Sequence, residues 1–101
     1  PAADRLASAK LPAEAARRGL QAARAFIATA QPLDTTTLNA GLTAIGESVT
    51  TNGKAGPFLG ALRLAVTGQE VSPPVFESIV ALGRDRAVAR LDAALAALPA
   101  E

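Results

Sequence analysis

The sequence predicts an all-α protein, a compact bundle or short superhelix of about five or six helices. Half of the residues are hydrophobic, and many of these are alanine, the residue with the highest helix propensity. Aromatic residues make up only 3% and β-branched residues are few, which disfavours strands. Apolar residues recur at intervals of three and four, which is the spacing of a helix with one buried face.

The first third of the chain contains a short predicted helix and a longer one. We expect a short helix at Asp4–Ala9, with Asp4 as its cap. Pro12 occupies a position that suits a helix start and precedes a helix from about Ala13 to Ala28. The apolar residues of this helix are spaced by four, three and four, and they are Ala16, Leu20, Ala23 and Ile27.

The next helix is predicted to begin after a cap at Asp34 or Thr35. Its expected buried residues are Leu38, Leu42, Ile45 and Val49. Gly41 and Gly46 each weaken a helix by roughly 1 kcal/mol relative to alanine. We therefore expect these two glycines to permit close packing by a neighbouring element.

Three further helices are predicted in the second half of the chain. One runs from about Pro57 to Val66, and the last runs from about Arg84 to Leu98. Between them, Ser72 is expected to cap a short helix, Pro73 to fill its first position, and Gly83 to close it.

Arg63 is the only charged residue between Lys54 and Glu70, and it is predicted at the edge of an apolar helix face. An arginine beside an exposed Phe76 at a helix start can hold an anion and a flat base together. Two other interpretations remain open: Arg63 pairs with Glu70 or Glu77 as a surface cation, and Phe76 belongs to the core. The pattern by itself favours these ordinary structural roles.

Composition excludes several classes of function. The net charge is only +1, so contact with nucleic acid must be local rather than a general electrostatic attraction. The chain contains neither cysteine nor histidine, which removes disulfides, thiolate nucleophiles, imidazole catalysis and the usual zinc sites. No glycine-rich phosphate loop is present. We therefore predict no catalytic, metal-binding or cofactor-binding residue. We also expect no membrane segment, a cytoplasmic location and a monomer.

Four segments carry a resemblance to a known family: Leu62–Gly68, Ser72-Pro73, Leu82-Gly83-Arg84 and Arg90-Leu91. Together they resemble the C-terminal anticodon-binding domain of bacterial glutamyl-tRNA synthetase. Residues 54–95 match its pattern well, and the helix spacing of residues 12–50 is compatible with it. The chain departs from the family's usual residues at Leu33, Ala61, Pro74 and Val75.

The resemblance implies a role for each matching residue. Arg63 corresponds to the arginine that contacts the anticodon, while Ser72 and Pro73 correspond to the helix start on which anticodon bases lie. Val75 and Phe76 correspond to the apolar pair that packs on splayed bases. Weaker candidates for RNA contact, most of which would ordinarily be solvated surface residues, are Lys54, Arg84, Arg86 and Arg90.

The resemblance further implies that residues 1–101 are one anticodon-binding domain, excised from the C-terminal part of a longer synthetase. Its partners would be the anticodon stem-loop of tRNA(Glu) and the remaining domains of that enzyme. The whole enzyme would attach glutamate to tRNA with ATP and magnesium, whereas this domain would hold no cofactor and perform no catalysis. The alternative is a freestanding helical adaptor that binds protein or RNA.

Overall fold

Five α-helices joined by short connections form the chain in the computed structural model, which describes residues 6–68 and 74–98. The helices are α1 (Ala13–Thr29), α2 (Thr35–Val49), α3 (Gly56–Thr67), α4 (Val75–Leu82) and α5 (Arg84–Ala97). No β-strand occurs in those two ranges. The prediction of an all-α fold is confirmed.

Helix α3 is the centre of the bundle, because it packs against each of the other four helices. Most of its side chains are buried, namely those of Phe58, Ala61, Leu62, Leu64, Ala65 and Val66. Helix α1 packs most extensively against α5 on one side and α2 on the other. The radius of gyration is 11.9 Å, close to the roughly 13 Å expected for a compact domain of about 100 residues. The helices therefore form a compact bundle and not an extended superhelix.

Of the predicted helix at Asp4–Ala9, the structure describes residues 6–9: Leu6 is in a 3₁₀-helical turn, but residues 7–9 are not helical, so the prediction is wrong for these three. Ser8 and Leu11 instead close a tight turn, in which each backbone N–H donates to the other residue's carbonyl at 2.8 and 3.1 Å. Leu6 and Leu11 are both 1% exposed. Burial of these two leucines on either side of the turn ties the segment to the core in place of a helix.

Helix α2 begins at the predicted cap. The Asp34 carboxylate accepts a hydrogen bond from the Thr37 backbone N–H at 2.8 Å, which satisfies one of the donors that a helix start leaves without a partner. This bond holds the pKa of Asp34 below its ordinary value. Because the fold of α2 uses the ionised form, protonating Asp34 would weaken the helix start.

Helix α4 begins later than predicted. Its first residue is Val75 and its N-cap is Pro74, two residues beyond the expected start at Pro73, and no side chain caps it. The Pro74 carbonyl accepts from both the backbone N–H and the hydroxyl of Ser78, at 3.0 and 2.8 Å. Ser72 and Pro73 themselves lie outside the described residues.

Gly83 alone connects α4 to α5, as the C-cap of the first helix and the N-cap of the second. Its φ of 86° and ψ of 162° lie in a region that side chains rarely adopt. The Gly83 N–H donates to the Ile79 carbonyl and the Gly83 carbonyl accepts from Ala87, both at 3.0 Å. The prediction that Gly83 closes the short helix is confirmed.

Glycines in α1 and α2 allow neighbouring side chains to approach the helix backbone, as predicted for two of them. A Cβ atom at Gly41 would overlap the Phe26 ring, and one at Gly46 would lie 3.0 Å from the Cα atom of Ala55. Gly19 plays the same role in α1, although the sequence did not indicate it. A Cβ there would come within 2.6 Å of the buried Phe58 ring.

Candidate nucleic-acid interface

Arg63 is a cation embedded in the central helix. Its chain neighbours Leu62 and Leu64 are both 0% exposed, while Arg63 itself is half-buried. Its Nε atom is buried, so at least this part of the guanidinium lies against the protein. The Arg63 backbone carbonyl accepts a hydrogen bond from the Thr67 hydroxyl at 2.7 Å. The backbone at this position is therefore tied to the end of α3.

The two apolar residues predicted to pack on bases lie in different environments. Val75 is 3% exposed and belongs to the core, so its side chain would have to leave the core to touch a base. Phe76 is half-buried, with part of its surface against the core and part accessible. Val80, four residues on and therefore on the same helix face, is 39% exposed. Sequence reasoning missed Val80.

The described part of the predicted surface thus consists of Arg63 on α3 and the accessible face of α4. These two helices pack against each other. Ser72 and Pro73, in the connection between them, are outside the described residues, and their predicted roles stay predictions. What the described side chains offer is a half-buried guanidinium on α3 and a partly exposed ring on α4, the two kinds of group that can read an unstacked base.

Two of the weaker candidates bind the backbone of other helices. Arg84 donates from Nη1 to the Ile27 carbonyl at 2.7 Å, near the end of α1. Arg90 donates from Nη1 to the Val66 carbonyl at 2.7 Å, near the end of α3. The last carbonyls of a helix have no partner within it and carry partial negative charge, so each arginine satisfies an acceptor and complements the helix dipole.

The other two weaker candidates, Arg86 and Lys54, are exposed. Lys54 lies in the connection before α3, where its backbone N–H donates to the Asn52 side chain at 3.1 Å. Either cation could meet a phosphate, but neither is held in place by a hydrogen bond of its charged group to another described residue in the way that Arg84 and Arg90 are.

Helix α5 carries a further ion pair that links it to α1. Arg24 Nε donates to Asp92 Oδ1 at 2.7 Å, and both side chains are about half exposed. The hydrogen bond and the charge of Asp92 raise the pKa of Arg24. The sequence did not indicate this pair, because periodicity within α1 gives no information about the helix opposite.

A shallow groove of ≈ 320 Å³ lies where α3, α4 and α5 meet. Its lining residues are Val66, Thr67, Ser78, Ala81, Leu82 and Arg90. Among the residues that the structure describes, no group of carboxylates could hold a metal ion. No helix within 6–68 and 74–98 is long and apolar enough to cross a membrane.

Comparison with known proteins identifies the family. A model of the anticodon binding domain matches residues 2–95, almost the full chain. The resemblance inferred from residues 54–95 is thereby confirmed, and it extends over the first half, where only helix spacing had been compatible. No solved structure matches this chain.

Curated relatives carry the name glutamate–tRNA ligase. The protein from Roseiflexus castenholzii is 42% identical over 91 residues, which is 90% of this chain but 18% of the relative. That of Roseiflexus sp. strain RS-1 is 44% identical over 89 residues, or 88% of the chain and 17% of the relative. A protein of Mycolicibacterium smegmatis is 66% identical over 35 residues, or 35% of the chain and 7% of the relative. The chain therefore spans less than a fifth of the relatives that it matches.

Proposed function

Since this chain belongs to the anticodon-binding domain family, we propose that it binds the anticodon loop of tRNA(Glu) as the C-terminal specificity module of a glutamate–tRNA ligase. The ligase would join glutamate to tRNA with ATP and magnesium in a catalytic domain outside these 101 residues. The present module would act in the cytoplasm as a monomeric part of that enzyme. It would add to the free energy of tRNA binding only when the correct anticodon presents its bases.

The observation that carries this proposal is the half-buried guanidinium of Arg63 on α3, the helix that packs against α4. A guanidinium whose Nε is buried is already ordered, so little side-chain entropy is lost when it binds a base edge or a phosphate. Phe76 supplies a partly accessible ring on the adjoining helix. Splayed anticodon bases are read by such combinations of a flat apolar surface and a directed donor. Val75 would contribute to RNA binding only indirectly, because its buried side chain holds the start of α4 against the core.

The charge of the domain supports recognition of bases over general attraction to the RNA backbone. A net charge of +1 leaves few cations to neutralise phosphates. The slope of log affinity against log salt falls by about 0.7 for each phosphate contacted on a single strand. We therefore expect a shallow salt dependence together with a clear preference for the tRNA(Glu) anticodon sequence.

The test is titration of the 101-residue chain with fluorescent anticodon stem-loops. One loop carries the tRNA(Glu) anticodon, and a second has the same stem with the anticodon bases exchanged. Phe76→Leu should weaken binding to the first loop at least severalfold, since base stacking on an aromatic ring contributes roughly 1–3 kcal/mol. Arg63→Ala should weaken it as well and should reduce the preference between the loops.

Matched variants distinguish a lost contact from a damaged fold. Phe26→Leu changes the same residue type on the α1–α2 side, and Arg18→Ala removes the same charge from the surface of α1. Both should bind like the unaltered chain. Equal affinity of the unaltered chain for the two loops would contradict anticodon recognition and favour the alternative of a protein-binding or general RNA-binding adaptor.

A further inference from the structure

Arg90 makes a contact that the proposed RNA-binding role of its charge does not explain. Its Nη1 atom donates to the Val66 carbonyl at 2.7 Å, joining α5 to the last turn of α3. In the same turn, the Thr67 hydroxyl donates to the Arg63 carbonyl at 2.7 Å, and the Gly68 N–H donates to the Leu64 carbonyl at 2.8 Å. These three bonds engage the carbonyls of Arg63, Leu64 and Val66 at the end of α3.

The position of this contact gives it more than local importance. Val66 is 0% exposed and lies three residues after Arg63, while α3 ends at Thr67 and leads into the connection to α4. Arg90 also lines the groove in which the end of α3 faces Ser78 and Leu82 of α4. A single guanidinium thus lies where three helices meet, on the side of α3 from which the chain leaves towards α4.

The chemistry of arginine suits this place. Carbonyls at a helix end carry partial negative charge, and a charged donor binds them more strongly than a neutral one does. The guanidinium has five N–H groups in a rigid fork, so binding one carbonyl fixes the plane of the entire group.

We propose that Arg90 is a positioning residue for RNA binding, which holds the last turn of α3 so that Arg63 meets the anticodon loop in a fixed geometry. This inference rests on the proposed function, since it concerns the same surface. It assigns to Arg90 a role through the protein backbone and not as a phosphate contact. Arg86, on the same face of α5 and exposed like Arg90, has no comparable bond within the described residues and serves as the matched control.

The experiment compares Arg90→Met with Arg86→Met, because methionine keeps most of the apolar stem and removes the charge. Without RNA, hydrogen exchange of the Gly68 amide should accelerate on the order of tenfold in Arg90→Met, the effect expected from loss of one charged hydrogen bond, and should be unchanged in Arg86→Met. With RNA, Arg90→Met should bind the tRNA(Glu) loop on the order of tenfold more weakly with an unchanged salt slope. Thermal melts establish that both variants are folded at the assay temperature.

Several results would overturn the positioning role. A fall of about 0.7 in the salt slope of Arg90→Met would show that Arg90 contacts a phosphate directly. Unchanged exchange at Gly68 would show that it does not hold α3. Full additivity of Arg90→Met with Arg63→Ala would show that the two act independently. If the unaltered chain fails to distinguish the two loops, the proposed function fails; if it distinguishes them and Arg90→Met binds equally well, only the positioning role fails.

Discussion

Helix α1 is held on its two sides by different kinds of contact. On the side of α2, the Phe26 ring packs over Gly41, where the absence of a Cβ lets it reach the helix backbone. On the side of α5, Arg24 pairs with Asp92 at 2.7 Å, and Arg84 donates to the Ile27 carbonyl at the same distance. The first contact is apolar and sets how closely two helices approach. The second is polar: the Arg24–Asp92 pair joins two side chains, and Arg84 joins a side chain to the end of α1.

The difference reflects what each neighbour of α1 is made of. The chain has three phenylalanines and neither tryptophan nor tyrosine, so it has few large side chains to fill gaps between helices. Glycine in α2 instead allows α1 and α2 to approach each other closely. Helix α5 is rich in alanine and arginine, and it satisfies the ends of α1 and α3 with charged donors. A bundle with few aromatic residues can therefore be held together by small residues between α1 and α2 and by arginines that bind helix ends beside α5.

The largest expected effect concerns the glycine contacts. Gly19→Ala places a Cβ 2.6 Å from the fully buried Phe58 ring, whereas Gly60→Ala in α3 meets no described atom within 4 Å. Both substitutions gain the same helix propensity, so it cancels between them. We expect Gly19→Ala to be less stable than Gly60→Ala by about 1–3 kcal/mol, the usual cost of overpacking, in urea denaturation. Equal stabilities would mean that the Phe58 ring moves aside without cost.

A smaller effect is expected on the arginine side. Arg84→Met removes the bond to the Ile27 carbonyl and keeps an apolar stem at a half-buried position. We expect a loss of about 1–2 kcal/mol in the free energy of unfolding, typical of a charged hydrogen bond that is partly exposed. Arg86→Met, on the exposed surface of the same helix, should change it by less than about 0.5 kcal/mol. If the two variants lose the same stability, the backbone contact contributes nothing beyond the charge.

The smallest effect concerns Asp34, whose carboxylate caps the start of α2. At the opposite kind of terminus, the last turns of α1 and α3, arginines bind the carbonyls instead. The pKa of Asp34 is lowered by the Thr37 N–H, so its stabilising contribution is present above the ordinary value of 3.8 and is lost as the pH falls through the lower folded value. Asp34→Asn keeps an acceptor that does not titrate. Its melting temperature should therefore fall less steeply than that of the unaltered chain below about pH 4; parallel melting curves would contradict the role of the charge.

The helices were predictable because their ends are encoded locally. Asp34 and Gly83 stand at the ends where they were expected, since caps and terminal glycines act within a few residues. The bonds of Arg84 and Arg90 were not predictable, because they join residues 57 and 24 positions apart. Periodicity shows which face of a helix is apolar, but it does not show which helix lies opposite.

The candidate site shows the same limit in α4. This helix has two apolar pairs at a spacing of four, Val75 with Ile79 and Phe76 with Val80. The sequence alone cannot rank them, because both are equally suited to a core. Packing buries Val75 and Ile79, whereas Phe76 is half-buried and Val80 is exposed. Arg63, by contrast, was recognisable as a lone charge in an apolar helix, although only the family pattern indicated what it would bind.

Gly83 constrains the angle between the two helices that it joins. Gly83 ends α4 and begins α5, and its N–H and its carbonyl both take part in the hydrogen bonds of those helices. No additional residue separates the two helices. The angle between α4 and α5 therefore depends on a single pair of backbone dihedrals, and the packing of α4 against α2 and α3 fixes its orientation from the other side.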